Sequence, residues 1–132
     1  MSGGPLDSAL VGLRVLLVED ESLLAMDIEL LLQDFGCRMV GWASTLDDAL
    51  RLAETEEFDL AVLDVSVARK MVFPVAEILA RRDIPFLFTT GYGRESVRED
   101  LRDRPILRKP YSPEQLRAAM LIAVVSRPHS LS

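Results

Sequence analysis

Asp64, Glu19, Asp20, Thr90 and Lys109 are the side chains of this sequence that could do chemistry together, because each closes or follows an apolar run of the kind that forms a buried strand. Asp64 ends Leu60-Ala61-Val62-Leu63, Glu19-Asp20 end Val15-Leu16-Leu17-Val18, Thr90 ends Pro85-Phe86-Leu87-Phe88-Thr89, and Lys109-Pro110 follow Pro105-Ile106-Leu107-Arg108. In an open parallel sheet, ligands bind outside the carboxyl ends of the strands, so acids, a hydroxyl and an ammonium would converge on one rim. Three carboxylates at one place repel each other unless a cation sits between them, and oxygen ligands with room for water suit Mg²⁺. Asp64, at the centre, is then placed as a nucleophile, since a carboxylate can form an acyl phosphate. Phosphoryl transfer asks the protein mainly to position groups and balance charge, which is work for Lys109 and the Thr90 hydroxyl.

Such a rim needs several strands in one sheet, and 132 residues make one domain with a proper core. The balance of 15 Lys and Arg against 21 Asp and Glu, net charge −6, disfavours nucleic acid or an anionic membrane as partner. A lone cysteine, Cys37, excludes an internal disulfide and offers no metal pattern. No apolar stretch approaches membrane-span length and the first residues lack a signal-peptide pattern, so the expected setting is the cytoplasm.

In chain order, residues 1–12 read as a loose leader, 13–126 as the domain and 127–132 as a tail. The first strand, Val15 to Val18, is apolar throughout, as a strand covered on both faces should be. Ser22 opens a helix with Leu24, Ile28, Leu31 and Phe35 at helical spacing, stopped by Gly36. Met39 to Ala43 form a second strand and Thr45 caps a second helix. After the strand ending at Asp64, Val65 to Met71 read as a loop and Pro74 as the first turn of a third helix. Residues 94–104 carry only Val97 and Leu101 as apolar anchors, so any helix there is short and weakly held. Ser112-Pro113-Glu114-Gln115 is a capping box opening the last helix. Strand alternating with helix five times predicts an α/β fold, a doubly wound five-stranded parallel sheet in three layers with flavodoxin-like order 2-1-3-4-5.

In their order and setting, the acidic pair of Val-Leu-Leu-Val-Glu19-Asp20, Asp64 in Ala-Val-Leu-Asp, Thr90 in Phe-Thr-Thr-Gly and Lys109-Pro110 resemble the receiver domain of two-component response regulators over roughly residues 13–126. The resemblance implies that Asp64 accepts a phosphoryl group from a histidine kinase or histidine phosphotransfer protein. It implies Mg²⁺ held by Asp20, by Glu19 through water, by Asp64 and by the Ser66 backbone carbonyl, with Lys109 on the phosphoryl oxygens and Thr90 as the moving hydroxyl. It further implies a cis peptide at Pro110, and a signalling unit rather than an enzyme with separate substrate turnover. Glu19 stands where aspartate is commoner, and Ile106 where an aromatic switch residue is usual. Phe88-Thr89-Thr90-Gly91-Tyr92-Gly93 resembles a mostly stand-alone subclass with an altered fourth helix, in which Tyr92 would supply the moving ring. Such a unit would signal to a downstream protein by contact, as a monomer or weak homodimer.

Blander readings compete. Glu19-Asp20-Glu21 before a helix is also simple charge complementarity to a helix N-terminus, and Lys109 could be an ordinary solvated lysine; their joint order argues otherwise. Cys37 reads as a small buried hydrophobe, Trp42 as cover for an outer strand, His129 as solvated, and the arginines of 81–82 and 94–104 as a solvated face interleaved with acids. A dehalogenase-like phosphohydrolase would want an acid where Ser66 stands, and a nucleotide hydrolase would need a glycine-rich lysine loop that is missing. The alternative that remains is a phosphorylation-independent pseudo-receiver that binds partners by shape.

Overall fold

A computed structural model describes residues 9–126; residues 1–8 and 127–132, with the readings made of the first leader residues and of His129, lie outside the described part. The chain runs β1 (Arg14–Val18), α1 (Ser22–Asp34), β2 (Arg38–Ala43), α2 (Leu46–Thr55), β3 (Leu60–Asp64), β4 (Ser66–Val67), β5 (Lys70–Met71), α3 (Phe73–Arg81), β6 (Phe86–Thr90), β7 (Ile106–Arg108) and α4 (Pro113–Val125). The five long strands form a parallel sheet in the order β2-β1-β3-β6-β7, which is 2-1-3-4-5 when the short β4 and β5 are set aside.

Alternation along the strands divides the core in two. Val15, Leu17, Leu60, Val62 and Leu87 pack with Ala25, Ile28 and Leu32 of α1 and Leu116, Met120 and Ala123 of α4. Leu16, Val18, Ala61, Leu63, Phe86 and Phe88 pack with Ala49 and Ala53 of α2 and Val75, Ala76 and Leu79 of α3. Each fully buried Leu or Phe is worth roughly 1.5–3 kcal/mol relative to exposure, so the central strands, apolar on both faces, carry the stability of the three-layer sandwich. Within the stretch read as a leader, Leu10 is fully buried against the α1 side of the sheet.

Local chemistry closes the helices. Gly36, at φ +86°, follows α1 in a Schellman arrangement in which Cys37 N–H donates to Leu32 O (2.8 Å) and Gly36 N–H to Gln33 O (3.0 Å). Thr45 accepts from Asp48 N–H at 3.2 Å. Ser112 Oγ accepts from Gln115 N–H (3.1 Å) while Gln115 Oε1 accepts from Ser112 N–H (2.8 Å), the capping box read from the sequence.

Three expectations are corrected. Residues 65–71 are no plain loop: Ser66–Val67 pairs antiparallel with Lys70–Met71 across a two-residue turn, with Ala68 at φ +49° and Arg69 at φ +71°. A hairpin twist of this kind requires positive φ at both central residues. Between β6 and β7 no α-helix forms; Arg94–Ser96 and Glu99–Leu101 are single 3₁₀ turns, so strand and helix do not alternate five times. Two apolar anchors, Val97 and Leu101, suffice to pin the segment but not to drive a helix. Nor are the arginines a merely solvated face. Arg102 donates to Val97 O (2.7 Å) and Glu95 O (3.2 Å), Arg82 serves Ala53 O in the last turn of α2 and Glu56 O just after it, and Arg104 lies 4.1 Å from the Phe86 ring centroid.

Candidate functional site

The rim forms where β1, β3, β6 and β7 end. Because β1 and β3 are neighbours, Glu19-Asp20 and Asp64 face each other, and one carboxylate oxygen from each lies within 4.8 Å of the others. Glu19 is buried at 1% exposure and Asp64 at 7%, whereas Asp20 is exposed. Lys109 reaches across from the far side of the sheet, its Nζ 3.0 Å from Asp64 Oδ2 and 3.3 Å from Glu19 Oε1. Its backbone N–H donates to Thr90 O at 2.7 Å, which ties the lysine to β6, and the Lys109-Pro110 peptide is cis.

Each acid also accepts from a backbone N–H. Glu19 Oε2 accepts from Glu21 N–H (3.1 Å), Asp64 Oδ1 from Ser66 N–H (3.4 Å) and Asp20 Oδ2 from Ala68 N–H (2.8 Å). The last bond joins the acidic turn to the strained hairpin, a link across 48 positions that spacing alone does not reveal. Thr90, 2% exposed, sits in a small network. Ser96 Oγ donates to Gly93 O (2.7 Å), so Thr90 donates to Ser96 Oγ (3.0 Å) while accepting from Tyr92 N–H (3.0 Å). Ser96 was not singled out by sequence, since a serine in a charged run carries no signal of its own. The Tyr92 side chain is 74% exposed, and Ile106 is half-buried opposite Phe88 in the strand register.

The electrostatics follow from burial. Desolvation, then the neighbouring Asp64 charge, push the Glu19 carboxyl up to about 7. Desolvation also raises Asp64 above the usual carboxylate range, against the opposing pull of Lys109. Burial works to lower Lys109, but the hydrogen bonds and charges of Asp64 and Glu19 outweigh it and hold the ammonium above the ordinary lysine value. Three carboxylates thus gather at one place with a single ammonium, which contacts the two that are out of water. An all-oxygen donor set with surplus negative charge and an open side at Asp20 fits a hard divalent cation such as Mg²⁺.

Two residues identified as structural behave differently. Cys37 is buried, its thiol donating to Leu10 O (3.2 Å) and pushed up to about 11 by burial, which is the inert behaviour expected. Trp42 is 40% exposed rather than simply covering its strand, and its indole N–H donates to Glu19 O at 2.7 Å.

Comparison with known proteins agrees with this geometry. The family model described as response regulator receiver domain matches residues 15–121. The transcriptional regulatory protein PdtaR of Mycobacterium tuberculosis is 35% identical over 129 residues, covering 94% of this chain and 63% of that protein. The phyllosphere-induced regulator PhyR of Methylorubrum extorquens is 29% identical over 112 residues, 81% of this chain and 42% of that protein. The chain therefore spans less than two thirds of these curated relatives. Among solved structures, SdrG from Sphingomonas melonis superposes with a TM-score of 0.76 at 40% identity, covering 88% of this chain and 98% of that one. The receiver domain of Erythrobacter litoralis PhyR gives a TM-score of 0.79 at 26% identity, covering 91% and 95%.

Proposed function

We propose, from the premise that this chain belongs to the response regulator receiver domain family, that Asp64 takes a phosphoryl group from a phosphohistidine on a histidine kinase or histidine phosphotransfer protein. Receivers of this family serve signalling, and the reading concerns how this one is charged and read out. The observation that carries it is the single ammonium of Lys109 set between two buried carboxylates, 3.0 Å from Asp64 and 3.3 Å from Glu19, at the carboxyl ends of adjacent strands.

In the proposed reaction an Asp64 carboxylate oxygen attacks the phosphorus. The P–N bond breaks, its electron pair returns to the imidazole, and a mixed anhydride forms on the aspartate. Mg²⁺, held by Asp20, Asp64, the Ser66 carbonyl and Glu19, would supply charge neutralisation at the phosphoryl oxygens. Lys109 balances the remaining charge and keeps Asp64 oriented. Thr90 reads the result. Its hydroxyl is committed to Ser96 and Tyr92, so drawing it toward a phosphoryl group frees the Gly91–Val97 segment. In this reading the signal leaves by protein contact near Tyr92 and the β7 edge, in the cytoplasm, with no nucleic acid or membrane contact by the domain.

Beryllofluoride with Mg²⁺, a phosphoryl mimic, tests the reading. It is expected to shift the amide resonances of Asp64, Thr90 and Ser96 in the wild type and to leave Asp64→Asn unmoved, and phosphotransfer from a panel of histidine kinases should label only the former. A wild type indifferent to both reagents would favour partner binding by shape alone.

A further inference from the structure

A large aromatic left 40% exposed near the end of an edge strand calls for a reason, and Trp42 has a polar one. Its indole N–H makes a 2.7 Å bond to the carbonyl of Glu19, and the next residue of the same strand, Ala43, accepts the Glu19 N–H at 3.0 Å. The backbone of Glu19 is thus gripped on both sides by consecutive residues of β2. The grip depends on a register break. Val15 pairs with Met39 but Leu16 pairs with Gly41, leaving Val40 as an extra residue. Residues an even number apart on a regular strand share a face, yet Met39 belongs to the half of the core under α1 while Ala43 belongs to the half under α2. The bulge therefore flips the parity of the strand, puts Ala43 on the α2 side and turns Trp42 to the α1 side. Bulges re-aim side chains beside functional sites in this way. The break is tightly packed, since a Cβ on Gly41 would come within 3.2 Å of Leu16.

We propose that Trp42 is a positioning residue, its indole N–H fixing the Glu19–Asp20 turn in the arrangement that takes a divalent cation. The inference rests on the cation reading of the acidic cluster and adds a residue that contributes no ligand. Glu19 presents its side chain to Lys109 and is followed directly by Asp20, so a Glu19 carbonyl free to rotate would carry the next peptide, and the Asp20 carboxylate, out of register with Asp64. A phenylalanine in place of Trp42 keeps an aromatic ring and removes the donor.

Mg²⁺ titration of the full chain is the test, read by NMR and by intrinsic fluorescence. The sequence holds one tryptophan, so the indole N–H gives a single resonance. It is expected to shift along the same binding curve as the Asp20 and Ala68 amides, and Trp42→Phe is expected to bind Mg²⁺ about tenfold more weakly, the usual cost of losing a partner that orients a ligand, with an unchanged far-ultraviolet circular dichroism spectrum. Should Trp42→Phe fail to fold, incorporation of the tryptophan analogue with sulfur in place of the ring nitrogen keeps the shape, and the same weakening is expected there. An indole resonance that stays still while the Asp20 amide moves, or wild-type Mg²⁺ affinity without the donor, overturns the proposal. A wild type whose Asp20 and Asp64 amides ignore Mg²⁺ overturns the cation reading beneath it, a result distinguishable from the other two.

Discussion

Lys109 holds two buried acids apart from their own repulsion, and its side chain is itself mostly covered. Replacing it by methionine strands Glu19 and Asp64 beside each other, and removing one partner of a buried pair leaves an uncompensated charge. Lys109→Met is expected to lose about 1–3 kcal/mol in urea unfolding at pH 8, and less at pH 5, where Glu19 takes up a proton. The same residues set a pH dependence in protein freed of divalent cations. A carboxyl whose folded-state pKa of about 7 lies above its ordinary value of 4.5 binds more protons when folded, so stability declines as pH rises between those values. Melting temperatures measured across that interval should fall in the wild type and stay flatter in Glu19→Gln; a wild type that gains stability over the same interval would contradict the burial assigned to Glu19.

At the level of elements, the hairpin between β3 and α3 stores strain, because neither Ala68 nor Arg69 is suited to the left-handed region that each occupies. Arg69→Gly is expected to stabilise the domain by about 1 kcal/mol, whereas Ser112→Ala, which removes the cap of α4, should cost about 1 kcal/mol; urea midpoints decide both. These two cases show what the sequence displays and what it hides. Caps at Thr45 and Ser112, the stop at Gly36 and the fully apolar strands are legible because each is settled within a few residues. The hairpin escaped notice because the Gly, Asn or Asp that would signal such a turn is absent at 68 and 69. The turn is held instead by Asp20, from 48 positions away. The role of Trp42 was hidden likewise, since a one-residue bulge at Val40 inverts the face that alternation would assign. Arg82, Arg102 and Arg104 looked like surface charge because their carbonyl and ring partners are visible only in three dimensions. By contrast, the acids, the threonine and the lysine of the rim were readable from the strand ends they occupy, which the parallel order turns into proximity.

Across the whole molecule, stability is uneven in a way that suits a relay of information. β3 and β6 are buried throughout, while the connection from Gly91 to Arg104 rests on two short 3₁₀ turns and a few guanidinium contacts. Segments with few buried apolar contacts open first. Amide hydrogen exchange at Val97 and Leu101 is therefore expected to run at least about tenfold faster than in β3, with the difference growing at Val97 when beryllofluoride and Mg²⁺ draw Thr90 away from Ser96 and Tyr92. Equal protection in both regions would mean that the connection is as firm as the sheet. The longest-range bond of the rim adds a temporal dimension. Lys109 meets Glu19 across 90 positions, so an emerging polypeptide carries its acids long before it carries the charge that reconciles them. Until the last strand joins the others the acidic rim is incomplete, and a fragment cut short of it would leave those acids without their counter-charge. Completion of the charged rim and completion of the fold thus arrive in a single event.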